Sequence, residues 1–213
     1  MNSTAKKNDA KKWGIVCPGH SLTRPETARA IVLGNNDKLV AINGAVLSPF
    51  QFDYWAMLDI EAFINVMTIV AESEAGKIFW LLDTVLWVPE LWKTEIKSSF
   101  PRYYNIYKSF IVEAFKADTF TFRGELFPFG QTEIMKFWSN YTIFIAITLA
   151  VNAGAKVINV YGADMSGSGY YCSGLKNSRT RHCSARWIEE LSIFNAMENG
   201  CRAIGVEVVR VSS

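Results

Sequence analysis

Trp13-Gly14-Ile15-Val16-Cys17-Pro18-Gly19-His20-Ser21-Leu22 is the stretch that decides how this chain is read. An apolar run of strand character ends abruptly in a polar turn containing a glycine, and a segment of helical character follows. In open α/β folds such a junction is where ligands bind. The strand's carboxyl end, bare backbone and the start of a helix all meet there. The expectation is an anion-ready pocket at Gly19 and Ser21, in a nucleotide-handling protein.

Strand-like runs recur outward from this point at intervals suited to βα units. They cover Trp13–Cys17, Lys38–Asn43, Asp53–Leu58, Lys77–Leu82, Lys156–Tyr161 and Glu207–Val211, with a shorter candidate at Thr119–Phe122. Helical patterns fill the gaps at Pro25–Leu33, with Thr23 as its N-cap, and at Ile60–Ser73, Tyr103–Lys116, Trp138–Ala153 and Ser184–Asn199. Gly154 and Gly200 stand where the last two helices should stop. Strands alternating with helices predict an α/β, Rossmann-like fold: a mostly parallel twisted sheet with helices on both faces. The less regular stretch 84–131 reads as a helical lid or insertion. Its Trp87 and Trp92, with the nearby Trp80, belong either to the core or to a surface that stacks on a sugar or base.

Size and composition bound the rest. A chain of 213 residues, 50% hydrophobic and 14% aromatic, can build one sizeable core. The expected organisation is a flexible basic leader over 1–12 and a single domain over 13–213. A net charge of +2 makes no polycation, so nucleic-acid binding is neither implied nor excluded. The leader lacks an apolar core and a cleavage site, and the most apolar window, Tyr141–Val151, is too short to span a bilayer. Cys17, Cys172, Cys183 and Cys201 show no metal-ligand spacing and read as free thiols, so no metal site is expected and the expected location is the cytoplasm.

The polar residues collect in a pattern. Gly19 and Ser21, Asn43 and Gly44, Asp59, Asp83, and Gly162 and Asp164 each follow a predicted strand. Parallel strands share a direction, so these groups should emerge at one edge of the sheet. Ordinary strand–loop punctuation uses the same residue types at any single position; Asn43, for instance, reads equally as an Asx turn. The set points to a shared site. After Gly162 the chain is rich in glycine and serine and carries Tyr170 and Tyr171. Such a loop suits closure over a phosphorylated ligand, or is simply a surface loop. His182 stands among Arg179, Arg181 and Arg186 just before the last long helix. Histidine moves protons near neutral pH, and arginines stabilise a departing phosphate.

Val16-Cys-Pro-Gly-His-Ser-Leu22 resembles the G-N-G-P-S-L opening of small bacterial sialyltransferases that use a CMP-sugar donor. Motility-associated glycosyltransferases and 6-hydroxymethylpterin diphosphokinase-like proteins share that opening. The order of later features is also similar: Asn43 after the second strand, Ser139-Asn140-Tyr141-Thr142 before a buried helix, Gly162-Ala163-Asp164 after a strand, a tyrosine-bearing loop, then His182. Pro18, His20 and Asp59 stand where the family carries other residues. The resemblance implies a glycosyltransferase-like enzyme that takes a nucleotide sugar, CMP-linked, and a hydroxyl acceptor, with no cofactor. It implies donor binding by Gly19, His20, Ser21, Asn43, Asp59, Ser139, Asn140 and Asp164. Tyr170, Tyr171 and Arg181 would assist the departing phosphate, and His182 would act as general base. Two other readings use the same scaffold. One is a Mg²⁺-dependent diphosphokinase or nucleotidyl transferase, with Asp59, Asp83 and Asp164 as metal ligands. The other is a non-catalytic module that binds a nucleotide or sugar.

Overall fold

A computed structural model of the chain describes residues 11–72, 81–115, 121–122, 125–126, 142–164 and 184–211. The first half runs β1 (Lys12–Val16), a 3-10 turn (His20–Thr23), α1 (Pro25–Leu33), β2 (Lys38–Ile42), a second 3-10 turn (Asn43–Leu47), β3 (Tyr54–Ala56) and α2 (Ile60–Glu72). It continues through β4 (Val85–Pro89), α3 (Trp92–Ser99), α4 (Pro101–Tyr107), β5 (Val112–Phe115) and a small hairpin of β6 (Thr121–Phe122) and β7 (Glu125–Leu126). The last elements are α5 (Thr142–Asn152), β8 (Val157–Tyr161), α6 (Ser184–Ala203) and β9 (Glu207–Val211).

Seven strands form one sheet in the order β5-β4-β3-β2-β1-β8-β9, and every pairing in it is parallel. The α/β, Rossmann-like expectation is met. From β1 the chain builds outward through β2, β3, β4 and β5, then returns to lay β8 and β9 on the other side. The order therefore reverses between β1 and β8.

Period-two alternation gives the inner strands two buried faces, while the edge strands β5 and β9 keep exposed residues. Trp13, Ile15 and Cys17 join α5 and α6 in one core. Val16, Ala41, Trp55 and Leu86 join α1, α2, α3 and α4 in the other. Helix α5 is apolar almost all round because it is buried almost all round: it lies over β1, β2 and β3, and Phe144 meets Phe194 of α6. Trp13, Tyr54 and Trp87 stack on the same sheet face, with the Tyr54 and Trp87 ring centroids 4.2 Å apart. Trp87 and Trp92 are both core residues.

Glycine ends both long helices of the second half. Gly154 and Gly205 take φ of 96° and 75°. In each case the next N–H returns to the carbonyl five residues back: Ala155 to Ala150, and Val206 to Cys201. This closure satisfies the orphan carbonyls of the last turn and aims the chain into β8 and β9. Helix α6 therefore runs through Gly200 and stops three residues beyond it.

The structure departs from the expected element order in the middle of the chain. Of the strand expected at Lys77–Leu82, residues 77–80 lie outside the described set, and Leu81 ends a helical turn. The strand forms at β4 instead, because Val85 N–H reaches Asp53 O (2.9 Å) and Thr84 Oγ1 reaches Phe52 O (3.2 Å), locking residue 85 beside β3. The helix expected over Tyr103–Lys116 breaks after Tyr107, and its second half becomes β5. The stretch expected to be an insertion or lid thus supplies two strands of the main sheet. Thr23 is not the cap of α1: Arg24 occupies that position, and Thr23 Oγ1 donates to His20 O (2.8 Å). The leader's residues 1–10 lie outside the described set, and Lys12 opens β1.

A polar knot fixes the far end of α1. Asn36 Nδ2 donates to the Tyr161 hydroxyl (3.3 Å) and to Ile31 O (3.4 Å), while Asn159 Nδ2 donates to Asn36 Oδ1 (3.2 Å). Gly34 lies against the Tyr161 hydroxyl so closely that a Cβ there would collide with it, although the backbone is ordinary right-handed helix. Gly→Ala at an unobstructed helical position stabilises. Gly34→Ala should instead destabilise by about 1–3 kcal/mol. Pairing it with Tyr161→Phe should recover part of the loss, as read by urea denaturation of the two single variants and the double variant.

Candidate functional site

The groups expected at one edge do share it, with one exception. Gly19, Ser21, Asn43, Asp59 and Asp164 all follow the carboxyl ends of β1, β2, β3 and β8. Asp83 does not: it precedes β4, at the opposite edge of the sheet, so it cannot join Asp59 and Asp164 around one ion. Ser139, Asn140, Tyr170, Tyr171, Arg181 and His182 lie outside the described residues. His20 is exposed on the 3-10 turn after β1.

The β1 turn is tied to β8 rather than left open. Cys17 N–H donates to Tyr161 O (2.8 Å), and Gly19 N–H donates to Gly162 O (3.0 Å). Ladder pairing thus continues past the ends of both strands. Gly162 takes φ of 67°, and a Cβ on it would run into the Cys17 carbonyl oxygen. A Cβ on Gly19 would run into the Gly162 carbonyl oxygen and the Asp164 carboxylate. Both glycines are required by this approach of two backbones.

Asp164 completes the tie. Its Oδ2 accepts from Ser21 N–H at 2.9 Å, and its Oδ1 accepts from the Ser21 hydroxyl. The Ser21 N–H and hydroxyl of the expected phosphate cradle are therefore engaged from within. The N–H groups of Cys17, Gly19 and Ser21 point at protein acceptors, Leu22 N–H reaches Gly19 O (3.0 Å), and Pro18 has no N–H. Burial above all, then the carboxylates of Glu190 and Asp164, pushes the Cys17 thiol pKa well up. The Cys201 thiol is raised by burial alone to about 12, and both thiols are free.

Asn43 closes β2 with φ of 47°, a left-handed conformation that asparagine tolerates better than most side chains. Its carbonyl accepts from Trp55 Nε1 (2.7 Å). Its Oδ1 is buried without a partner among the described residues. An orphaned amide oxygen at the sheet's carboxyl edge is a vacant acceptor beside the β1 turn. One strand further along, Trp92 Nε1 donates to Leu58 O (3.0 Å), holding the loop that leads to Asp59. Two buried indoles thus fix the backbone of two edge loops. Sequence reading assigned Trp92 no such role, although a buried tryptophan needs an acceptor for its N–H.

A separate concavity of about 1120 Å³ opens at the amino ends of β8 and β9, beside α6. Lys156, Glu198, Arg202, Glu207 and Arg210 line it, and Arg202 pairs with Glu198 at 2.5 Å. None of the described residues expected in the site lies there. Among the described residues, no group of three or more histidine, cysteine, aspartate or glutamate side chains could hold a metal ion. No helix among them is long and apolar enough to cross a membrane.

No protein-family model matches the chain, and no curated protein matches it. Among solved structures it is similar to the sialyltransferase CstII from Campylobacter jejuni, determined in complex with the substrate analogue CMP-3FNeuAc. The TM-score is 0.46 and the identity 11%, over 94% of this chain and 80% of that one.

The double-glycine approach carries a direct consequence. Gly162→Ala adds both left-handed strain and a backbone collision, neither of which a side-chain rotation can relieve. It should cost about 2–4 kcal/mol, measured by urea denaturation. Gly154→Ala has open space around its Cβ and should cost only the strain, about 1–2 kcal/mol.

Proposed function

We propose that this chain is a glycosyltransferase-like enzyme that binds a CMP-linked sugar and transfers the sugar to a hydroxyl acceptor. The observation that carries this reading is the gathering of Gly19, Ser21, Asn43, Asp59 and Asp164 at the carboxyl edge, around the reversal of strand order between β1 and β8. Open α/β sheets bind ligands at such reversals. The likeness of Val16–Leu22 to the opening of the small bacterial sialyltransferases narrows the ligand to a CMP-sugar.

In this reading the acceptor oxygen attacks the anomeric carbon, and His182 takes the hydroxyl proton. The bond from that carbon to the phosphate oxygen breaks, and the nucleotide leaves with the electron pair. Tyr170, Tyr171 and Arg181 stabilise the charge that develops on its phosphate. Asn43 offers its vacant amide oxygen to a donor N–H or hydroxyl, and Ser139 and Asn140 complete the donor's surroundings. Protein hydroxyls and cations stand in for a metal, so turnover should persist in EDTA.

The expected result is that a CMP-sugar raises the melting temperature where the UMP, GMP and AMP counterparts do not. His182→Ala should lower sugar transfer by about 10²–10⁴-fold without abolishing that binding shift. Unchanged turnover in His182→Ala, or equal stabilisation by all four nucleotides, would refute the assignment.

A further inference from the structure

We infer that Trp55 is a positioning residue of the carboxyl-edge site: its buried indole N–H holds Asn43 in a left-handed conformation and so sets where the Asn43 amide stands. This role rests on the carboxyl edge being the ligand site, as proposed above, and holds for any ligand that meets Asn43.

Trp55 sits in β3 opposite Ala41 of β2, and Asn43 follows two residues after Ala41. Ala41 and Trp55 both join the core that carries α1 to α4, and Trp55 is 0% exposed. Its ring packs against Phe63 of α2, with centroids 5.9 Å apart, and against Phe110 at 6.0 Å. In a close-packed core a ring braced in this way cannot swing, so its N–H has one direction. A buried indole N–H needs an acceptor, and here it meets the Asn43 carbonyl at 2.7 Å.

That contact falls on a residue under strain. Asn43 takes φ of 47°. A left-handed backbone costs free energy at any residue with a Cβ, and persists where the surroundings over-determine it. Downstream, the turn is held by itself: Ala45 and Val46 are buried, and the Ser48 N–H and hydroxyl return to Ala45 O at 3.0 Å and 2.6 Å. The Asn43 carbonyl is held from outside the turn, by Trp55. Without that donor the 43–44 peptide can rotate and residue 43 can return to an ordinary conformation, taking its side chain with it. The side chain is the part that matters to a ligand. Its Oδ1 is buried without a partner among the described residues, and a ligand's N–H or hydroxyl would satisfy it.

Crystal structures of the wild-type and Trp55→Phe proteins read the first step without any ligand. In the variant, residue 43 should leave the left-handed region. A residue 43 still near φ of 47°, with its amide in place, would overturn the inference. Where Trp55→Phe does not fold, 3-benzothienylalanine at position 55 keeps the shape of the ring and lacks the N–H. Calorimetric titration with CMP reads the second step as a double-mutant cycle. Asn43→Gly tolerates the left-handed backbone and loses the amide. Each single variant should bind CMP about tenfold more weakly than the wild-type protein. The double variant should match Asn43→Gly to within about twofold, because Trp55 acts through Asn43. A merely structural Trp55 would instead give losses that multiply, to about 100-fold, and that result overturns the inference, as does wild-type affinity in Trp55→Phe. If CMP does not bind the wild-type protein, the nucleotide reading fails, and the conformation at residue 43 alone decides the role of Trp55.

Discussion

The structure turns on the approach of Gly19 to Gly162. One hydrogen bond of 3.0 Å extends the β1–β8 pairing past the strand ends, and neither residue can carry a side chain while that bond exists. In many open α/β sheets the connections on either side of the strand reversal diverge and leave a crevice. Here the β1 and β8 connections are joined. Asp164 and Ser21 join them again one step further on, and the Asn36 knot ties the other end of α1 to β8. Vacant ligand-facing chemistry is thereby shifted towards β2, where Asn43 holds an unpartnered amide oxygen.

This arrangement changes what the opening turn means. A glycine followed by a serine after a strand has the composition of a phosphate cradle, and its backbone could serve as one. The side chain that engages Ser21 lies 143 residues away in the sequence. A glycine-rich turn reports that backbones come close; it does not report whether the neighbour is a ligand or another turn of the same chain. In this protein the neighbour is Gly162 and its following carboxylate.

Much of the fold was legible because the buried parallel strands and helix ends obey local rules. The β1, β2 and β8 runs are apolar and bounded by polar turns, α1 keeps its expected bounds Pro25–Leu33, and α5 stops beside Gly154. Legibility failed where a tertiary pairing overrode a local pattern. Tyr103–Lys116 has helical spacing, yet Val112–Phe115 is drawn into the sheet by β4. The apolar run 77–82 resembles a strand in sequence, but the strand beside β3 is 85–89, which pairs with β3 and β5 and is anchored by the hydrogen bonds to Phe52 and Asp53. Asp83 moved to the wrong edge as a result. Of the site, the shared edge was readable from strand polarity alone. The Ser21–Asp164 pairing and the indole clamps on Asn43 and Leu58 were not, since each joins residues through the folded core.

Hydrogen exchange with and without a CMP-sugar tests the central claim most directly, because the two edges of the sheet carry different peptides. The account predicts added protection in residues 17–24, 43–48 and 162–164, at the carboxyl edge. Protection confined to 154–157 and 194–210, around the cleft at the amino ends of β8 and β9, would contradict it.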